Sequence, residues 1–150
     1  MYVNSKSTVA VNVSFNNFVE MSEEDVDRVL EYYSSRKRSG FSLPIKQFLS
    51  IPIIKWDVVG FEVLENKELK VFGEIQDLDN EFSASGKVEV YDVIVADVNF
   101  KVKIGKEVMK DVIKILRKYK EQDMRVWLVE DSMMVIYIED VVIYVAGLAY

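Results

Sequence analysis

Two eighteen-residue stretches of this chain can be laid over one another without a gap: DVVGFEVLENKELKVFGE (57–74) and DMRVWLVEDSMMVIYIED (123–140). Counting from each leading aspartate, an aromatic residue falls four places on (Phe61, Trp127) and a valine six places on (Val63, Val129). An acid falls eight places on (Glu65, Asp131) and an aliphatic residue twelve places on (Leu69, Val135). Both stretches are rich in β-branched and aromatic residues and break in the middle at polar turn formers, Asn66-Lys67 in the first, which is the pattern of a β-hairpin. Repetition of a hairpin constrains a whole architecture, because each copy brings the same face to be buried. The second hairpin follows a strand and a helix. The first also follows a strand, VAVNVSF at 9–15, and a helix at 22–35, with residues 39–56 between.

The expected plan is therefore two copies of strand–helix–strand–strand, each closed by a further strand, over about 9–90 and 91–150 of one domain. Hairpins and meanders give antiparallel sheets, and two helices with one apolar face each pack side by side against them. The fold class is α+β, with the outer faces of the helices directed together toward solvent or a partner. The helix at 22–35 opens at Ser22, which with Asp25 approximates a capping box. It buries Val26, Val29, Leu30 and Tyr33 and ends in Arg36, Lys37 and Arg38 before Gly40. Acids at its start and cations at its end suit the helix dipole. Residues 41–56 read either as a short helix, with Ser42 as cap, Pro44 in the first turn and Pro52 at the end, or as an extended connection. QDLDNEFSASG (76–86) reads as a polar loop, and 87–104 as two strands. RVWLVED, MMVIYIED and VVIYVAG read as three closing strands.

GKEVMKDVIKILRKYKEQ (105–122) is an amphipathic helix. Val108, Val112, Ile115, Leu116 and Tyr119 recur at helical spacing, and Lys106, Lys110, Lys114 and Arg117 line the other side. At about 100° per residue these four cations fall within an arc of roughly 80°, with Glu107 and Asp111 beside it. A clean basic stripe stands out in a chain with 25 acidic and 19 basic residues and a net charge of -6. Surface helices usually mix the two signs, so this one favours a polyanion. The acidic total argues against nonspecific coating of nucleic acid and against membrane-surface binding, but it leaves room for a segregated basic face.

The 150 residues contain no cysteine and no histidine. Disulfides, thiolate nucleophiles and thiolate zinc sites are excluded, as are the commonest general acid–base and transition-metal ligand. No cofactor, metal or small-molecule substrate is expected. No apolar run approaches the ~18 residues of a membrane span. The opening MYVNSKSTVAV lacks the layout of a signal peptide. The expected setting is the cytoplasm. Scarce glutamine with abundant Lys, Glu, Val, Ile and Tyr suggests a hot-living archaeon or one of its viruses or plasmids.

The duplicated strand–helix–meander plan and the basic helix resemble one domain of a DNA sliding clamp of the proliferating-cell-nuclear-antigen type. The resemblance is best over 98–150 and weak over 1–56. In that family six such domains close a ring, the helices line the hole, and their cations face the DNA backbone. The resemblance implies that Lys106, Lys110, Lys114 and Arg117 meet phosphates without reading sequence. It also implies a non-enzymatic role in DNA replication or repair, and a C-terminal strand at a sheet edge. Family chains carry two or three such domains, and this chain has room for one. It must form a six-subunit ring, join another ring, or use the fold otherwise.

Three other readings attach to the same residues. Asp57 with Glu65-Asn66-Lys67 resembles the acid and Glu-x-Lys of metal-dependent nucleases, which need two carboxylates on one hard cation. Asp77, Asp79, Asn80 and Glu81 put oxygen ligands on a short loop, although Phe82 stands where a calcium loop needs glycine. Finally, an exposed edge in the β-rich C-terminus could pair with a protein partner or a second copy, with Trp56, Trp127, Tyr137, Tyr144 and Tyr150 as contact residues. That last reading is a protein-binding accessory module without DNA contact.

Overall fold

The computed structural model describes residues 2–5, 19–20, 24, 28, 31, 35–66, 68–76, 81–97, 100–130, 133–139 and 141–148. Its strands are β1 (Tyr2–Ser5), β2 (Val19–Glu20), β3 (Arg38–Pro44), β4 (Val58–Val63), β5 (Leu69–Gln76), β6 (Glu81–Val88), β7 (Tyr91–Ile94), β8 (Val102–Gly105), β9 (Asp123–Val129), β10 (Met133–Ile138) and β11 (Val141–Ala146). Helix α1 (Ile45–Leu49) follows β3, and α2 (Lys106–Arg117) follows β8. One sheet has the order β2-β1-β11-β10-β9-β3-β7 and the other β6-β5-β4-β8. All pairings are antiparallel except β1 with β2. The α+β class and the antiparallel sheets agree with the sequence reading.

The order strand–helix–meander occurs twice, as β3–α1–β4–β5–β6 and as β8–α2–β9–β10–β11. In each case the helix starts on the residue after the strand, at Ile45 and at Lys106. The leading strands are exchanged. β3 pairs with β9 of the second meander, and β8 pairs with β4 of the first. Pro44, just before α1, faces Asp123, the first residue of β9, and Gly105, just before α2, faces Val58, the first residue of β4. The hairpins agree in detail. Val63 pairs with Leu69 as Leu128 pairs with Met134, and Phe61 pairs with Val71 as Val126 pairs with Ile136.

This correspondence is one residue away from the gapless alignment. Phe61 faces the core, whereas Trp127 lies on the outer face of the larger sheet with Val129, Val135, Val142 and Tyr144. Side chains alternate across a strand, so a slip of one residue exchanges its two faces. Both faces of β9, β10 and β11 are apolar, so alternation in the sequence does not mark the inner one.

A core joins the two sheets and helices α1 and α2. It includes Phe41 and Leu43 of β3, Phe48 of α1, Val59 and Phe61 of β4, Ile104 of β8, Met109, Val112 and Leu116 of α2, and Leu128 and Ile136 of the second hairpin. Each such side chain, fully buried, contributes about 1.5–3 kcal/mol relative to exposure. Trp56, between the 3-10 turn at Ile53–Lys55 and β4, closes one side of this core over Gly73 of β5. A Cβ built on Gly73 would lie 1.8 Å from Trp56 Cδ2, so only glycine permits that approach.

Several expectations change. The first unit takes its strand and helix from β3 and α1, not from 9–15 and 22–35. Residues 9–15 lie outside the described residues, and so does most of 22–35, where Glu24, Arg28 and Glu31 are helical and exposed. Of the two readings of 41–56, the short helix is the one formed, with Pro44 as its N-cap and no side-chain cap from Ser42. The polar loop 76–86 is largely strand: β6 pairs with β5 from Gln76 opposite Glu81 to Leu69 opposite Val88. An edge strand bonds on one side only, so its ladder forms on serine, alanine and glycine without an apolar pattern. The last strand is not an edge, because β1 pairs with β11 from Tyr2 opposite Tyr144 to Ser5 opposite Val141.

Candidate nucleic-acid interface

Helix α2 is fixed from three sides. Its first amide, Lys106 N–H, donates to Asp57 O at 2.9 Å, tying the helix start to the entry of β4. Met109, Asp111, Val112, Ile113, Ile115 and Leu116 are buried. Helix α1 packs alongside, and Ile45 N–H donates to Gln122 O at 3.0 Å just beyond the C-terminal turn of α2. With that side buried, the arc of Lys106, Lys110, Lys114 and Arg117 is left on the solvent side. Asp111 differs from the sequence expectation: it belongs to the buried side and is only 2% exposed.

The four cations are not equivalent. Lys106 is half-buried, while Lys110, Lys114 and Arg117 are exposed. Lys110 Nζ lies 3.5 Å from Glu107 Oε1 one turn back, an exposed pair of little energetic weight. Lys114 and Arg117 have no ion-pair partner among the described residues. Both stand in the last turn, where the helix dipole also favours a cation. Sequence reading missed Lys46, exposed on the neighbouring helix α1. Its Nζ lies 2.9 Å from Glu121 Oε2, and this contact lowers the pKa of the Glu121 carboxyl. No signal in the repeat marks Lys46, because the strand–helix junctions Pro44-Ile45 and Gly105-Lys106 set it against Glu107.

The other candidate sites are not brought together. Asp57 and Glu65 stand at opposite ends of β4, so they cannot share a cation, and Lys67 lies outside the described residues. Asp77, Asp79 and Asn80 also lie outside them, and Glu81 opens β6. Among the described residues no three acidic side chains gather closely enough to hold a metal ion. No described helix is long and apolar enough to cross a membrane. An open groove of about 460 Å³ is lined by Glu68, Lys87, Val88, Glu89 and Val90, none of them on α2.

Of the contact residues expected from sequence, Tyr144 is buried, Trp56 packs against the core, and Trp127 and Tyr137 are half-buried. Tyr150 lies outside the described residues. The exposed apolar side chains are elsewhere. Tyr91 and Ile94 on β7 and Val95 just after it are 43%, 53% and 36% exposed, and Leu148 after β11 is 42% exposed; β7 is the last strand in the order of the larger sheet among the described residues.

No family model and no curated sequence matches the chain. Among solved structures it is similar to the DNA polymerase III subunit beta of Borrelia burgdorferi, solved in complex with a natural product. The TM-score is 0.54 at 10% identity, over 77% of this chain and 31% of that one. The chain thus spans about a third of the length of the protein it matches. At that identity the likeness concerns the fold alone, and with the twofold strand–helix–meander order it makes this an α+β fold like that of a sliding-clamp domain.

Proposed function

We propose that this protein is a non-enzymatic component of DNA replication or repair, a single clamp-like domain built on a duplicated unit, whose α2 face contacts the DNA backbone. The observation that carries the reading is the solvent side of α2, where Lys114 and Arg117 are exposed without a carboxylate partner among the described residues. The fold likeness to a DNA polymerase III subunit supports it. Phosphates are met by charge alone, so binding is insensitive to sequence and steep in salt. Four phosphate contacts give a slope of log K against log salt of about -3.6, or roughly a 150-fold loss between 50 and 200 mM salt. The cytoplasm of a hot-living archaeon, or of a host of its viruses or plasmids, is the setting that composition suggests.

The test is duplex binding across a salt series with the quadruple variant Lys106→Glu, Lys110→Glu, Lys114→Glu, Arg117→Glu. Binding should disappear while the circular dichroism spectrum is kept. A variant that binds duplex with an unchanged slope removes α2 from the interface. Light scattering bears on the mode of action: a species near six times 17.4 kDa supports encirclement.

A second reading is favoured by one observation. The exposed Tyr91, Ile94 and Val95, on and just after β7, the edge strand of the larger sheet among the described residues, suit a protein partner. The protein is then an accessory module, and the quadruple variant loses no function.

A further inference from the structure

The outward face of the four-stranded sheet carries a second cationic surface, on the side away from α2. The registers place Ser85, Phe72, Gly60 and Lys103 in one row across β6, β5, β4 and β8. Lys87, Lys70 and Glu62 form the next row. Phe72 is half-buried, and the far edge of its ring lies over Gly60, where a Cβ would come within 2.0 Å of Cζ and 2.1 Å of Cε2. The glycine makes the hollow in which the ring rests. Above the ring stand two ammonium groups, Lys101 Nζ at 5.5 Å and Lys103 Nζ at 5.9 Å from the centroid.

Lys70, Lys87, Lys101 and Lys103 therefore surround one aromatic platform. Among the described residues three carboxylates stand on this face against the four lysines. Glu74 holds Lys103 at 3.0 Å, Glu68 holds Lys87 at 3.7 Å, and Glu62 is 6% exposed within the lysine row. Lys70 has no ion-pair partner among the described residues. In a chain of net charge -6 this face, like α2, is set apart by its cations.

We propose that this face binds single-stranded nucleic acid, with one base stacked on Phe72 and the adjoining phosphates held by Lys70, Lys87, Lys101 and Lys103. The chemistry requires a ligand that is both planar and anionic. A planar base replaces the ammonium groups over the ring, and the lysines swing a few ångströms to phosphate without leaving the face. Duplex does not fit, because its bases are stacked on each other and offer no free π-face. The site is independent of the α2 reading and uses the other side of the sheet.

The test uses the full chain and a fluorescent twelve-nucleotide thymidine strand, with anisotropy read at several salt concentrations. Phe72→Leu fills the Gly60 hollow but removes the aromatic face. It should weaken binding about 5- to 100-fold at unchanged salt slope. Lys70→Gln with Lys101→Gln should flatten the slope by about 0.7 per lysine. The α2 quadruple variant should bind the strand as the unaltered protein does. Circular dichroism confirms that each variant is folded. The proposal is overturned if the thymidine strand does not bind, if Phe72→Leu binds as tightly as the parent, or if only the α2 variant loses the strand. Duplex binding on the same variants separates the two surfaces: loss there with Phe72→Leu unaffected concerns α2 alone.

Discussion

Replacing Gly73 by alanine probes how the first unit closes its core. The added Cβ would sit 1.8 Å from Trp56 Cδ2 and 2.2 Å from Cγ. Carbon atoms in contact rest about 3.5–4.0 Å apart, so the indole must retreat by roughly 2 Å. Trp56 is half-buried against the core, and its retreat is toward water. Overpacking of this kind costs about 1–3 kcal/mol. Against it, alanine in a strand interior is better than glycine by roughly 0.5–1 kcal/mol. A net loss of about 1 kcal/mol is expected, which in a chain of 150 residues lowers Tm by about 2–4 °C. The assay is urea unfolding followed by far-ultraviolet circular dichroism, run as a double-mutant cycle with Trp56→Ala. With the indole gone the clash is gone, and Gly73→Ala becomes neutral or slightly stabilising. The coupling between the two sites should then be about 2 kcal/mol, the overpacking cost itself. Equal destabilisation by Gly73→Ala in both backgrounds would refute the argument that the indole is what the glycine accommodates.

Two further outcomes follow from burial. Leu128→Ala removes a fully buried side chain from the strand where the two units meet and should cost about 3 kcal/mol in chemical unfolding. Tyr144, enclosed on the outer face of the larger sheet, has its phenol pushed up to about 12 by burial and then by the nearby Tyr137. Between its ordinary value of 10.0 and about 12 the unfolded chain loses a proton that the folded chain keeps, so stability falls as pH rises through that window. The loss should be about 2 kcal/mol at most, and Tyr144→Phe should flatten the dependence in unfolding curves taken across that range.

The second unit was legible in the sequence because its signals agree with one another. Helix α2 shows its period over 12 residues, Gly105 stops the strand before it, and three strands follow at short intervals. The first unit was legible only in its hairpin. Its helix has 5 residues, too few to show a period, and sits between two prolines that allow an extended path equally well. The longer acid-capped stretch at 22–35 drew the helix assignment away from it. The register of the repeat was misread because apolar residues occupy both faces of β9. Trp127 resembles Phe61 in kind, yet faces the other way. β6 was hidden because an edge strand carries its pairing in the backbone. The cations of α2 could be read directly from spacing. The lysines around Phe72 could not, since Lys70 of β5, Lys87 of β6, Lys103 of β8 and Lys101 just before β8 meet only through the ladder registers.

The exchange of leading strands has a kinetic consequence. β3 waits for β9, with Pro44 and Asp123 roughly eighty residues apart, and β4 waits for β8. A nascent chain emerging from a ribosome can form the β4–β5–β6 meander early, but neither sheet acquires its closing neighbour until most of the chain has been made. Loop closure must be met before those distant pairs return any free energy. Such a chain folds late and all at once, spending its synthesis with the β4 flank open, and the connectivity rather than the final stability governs how long that exposure lasts.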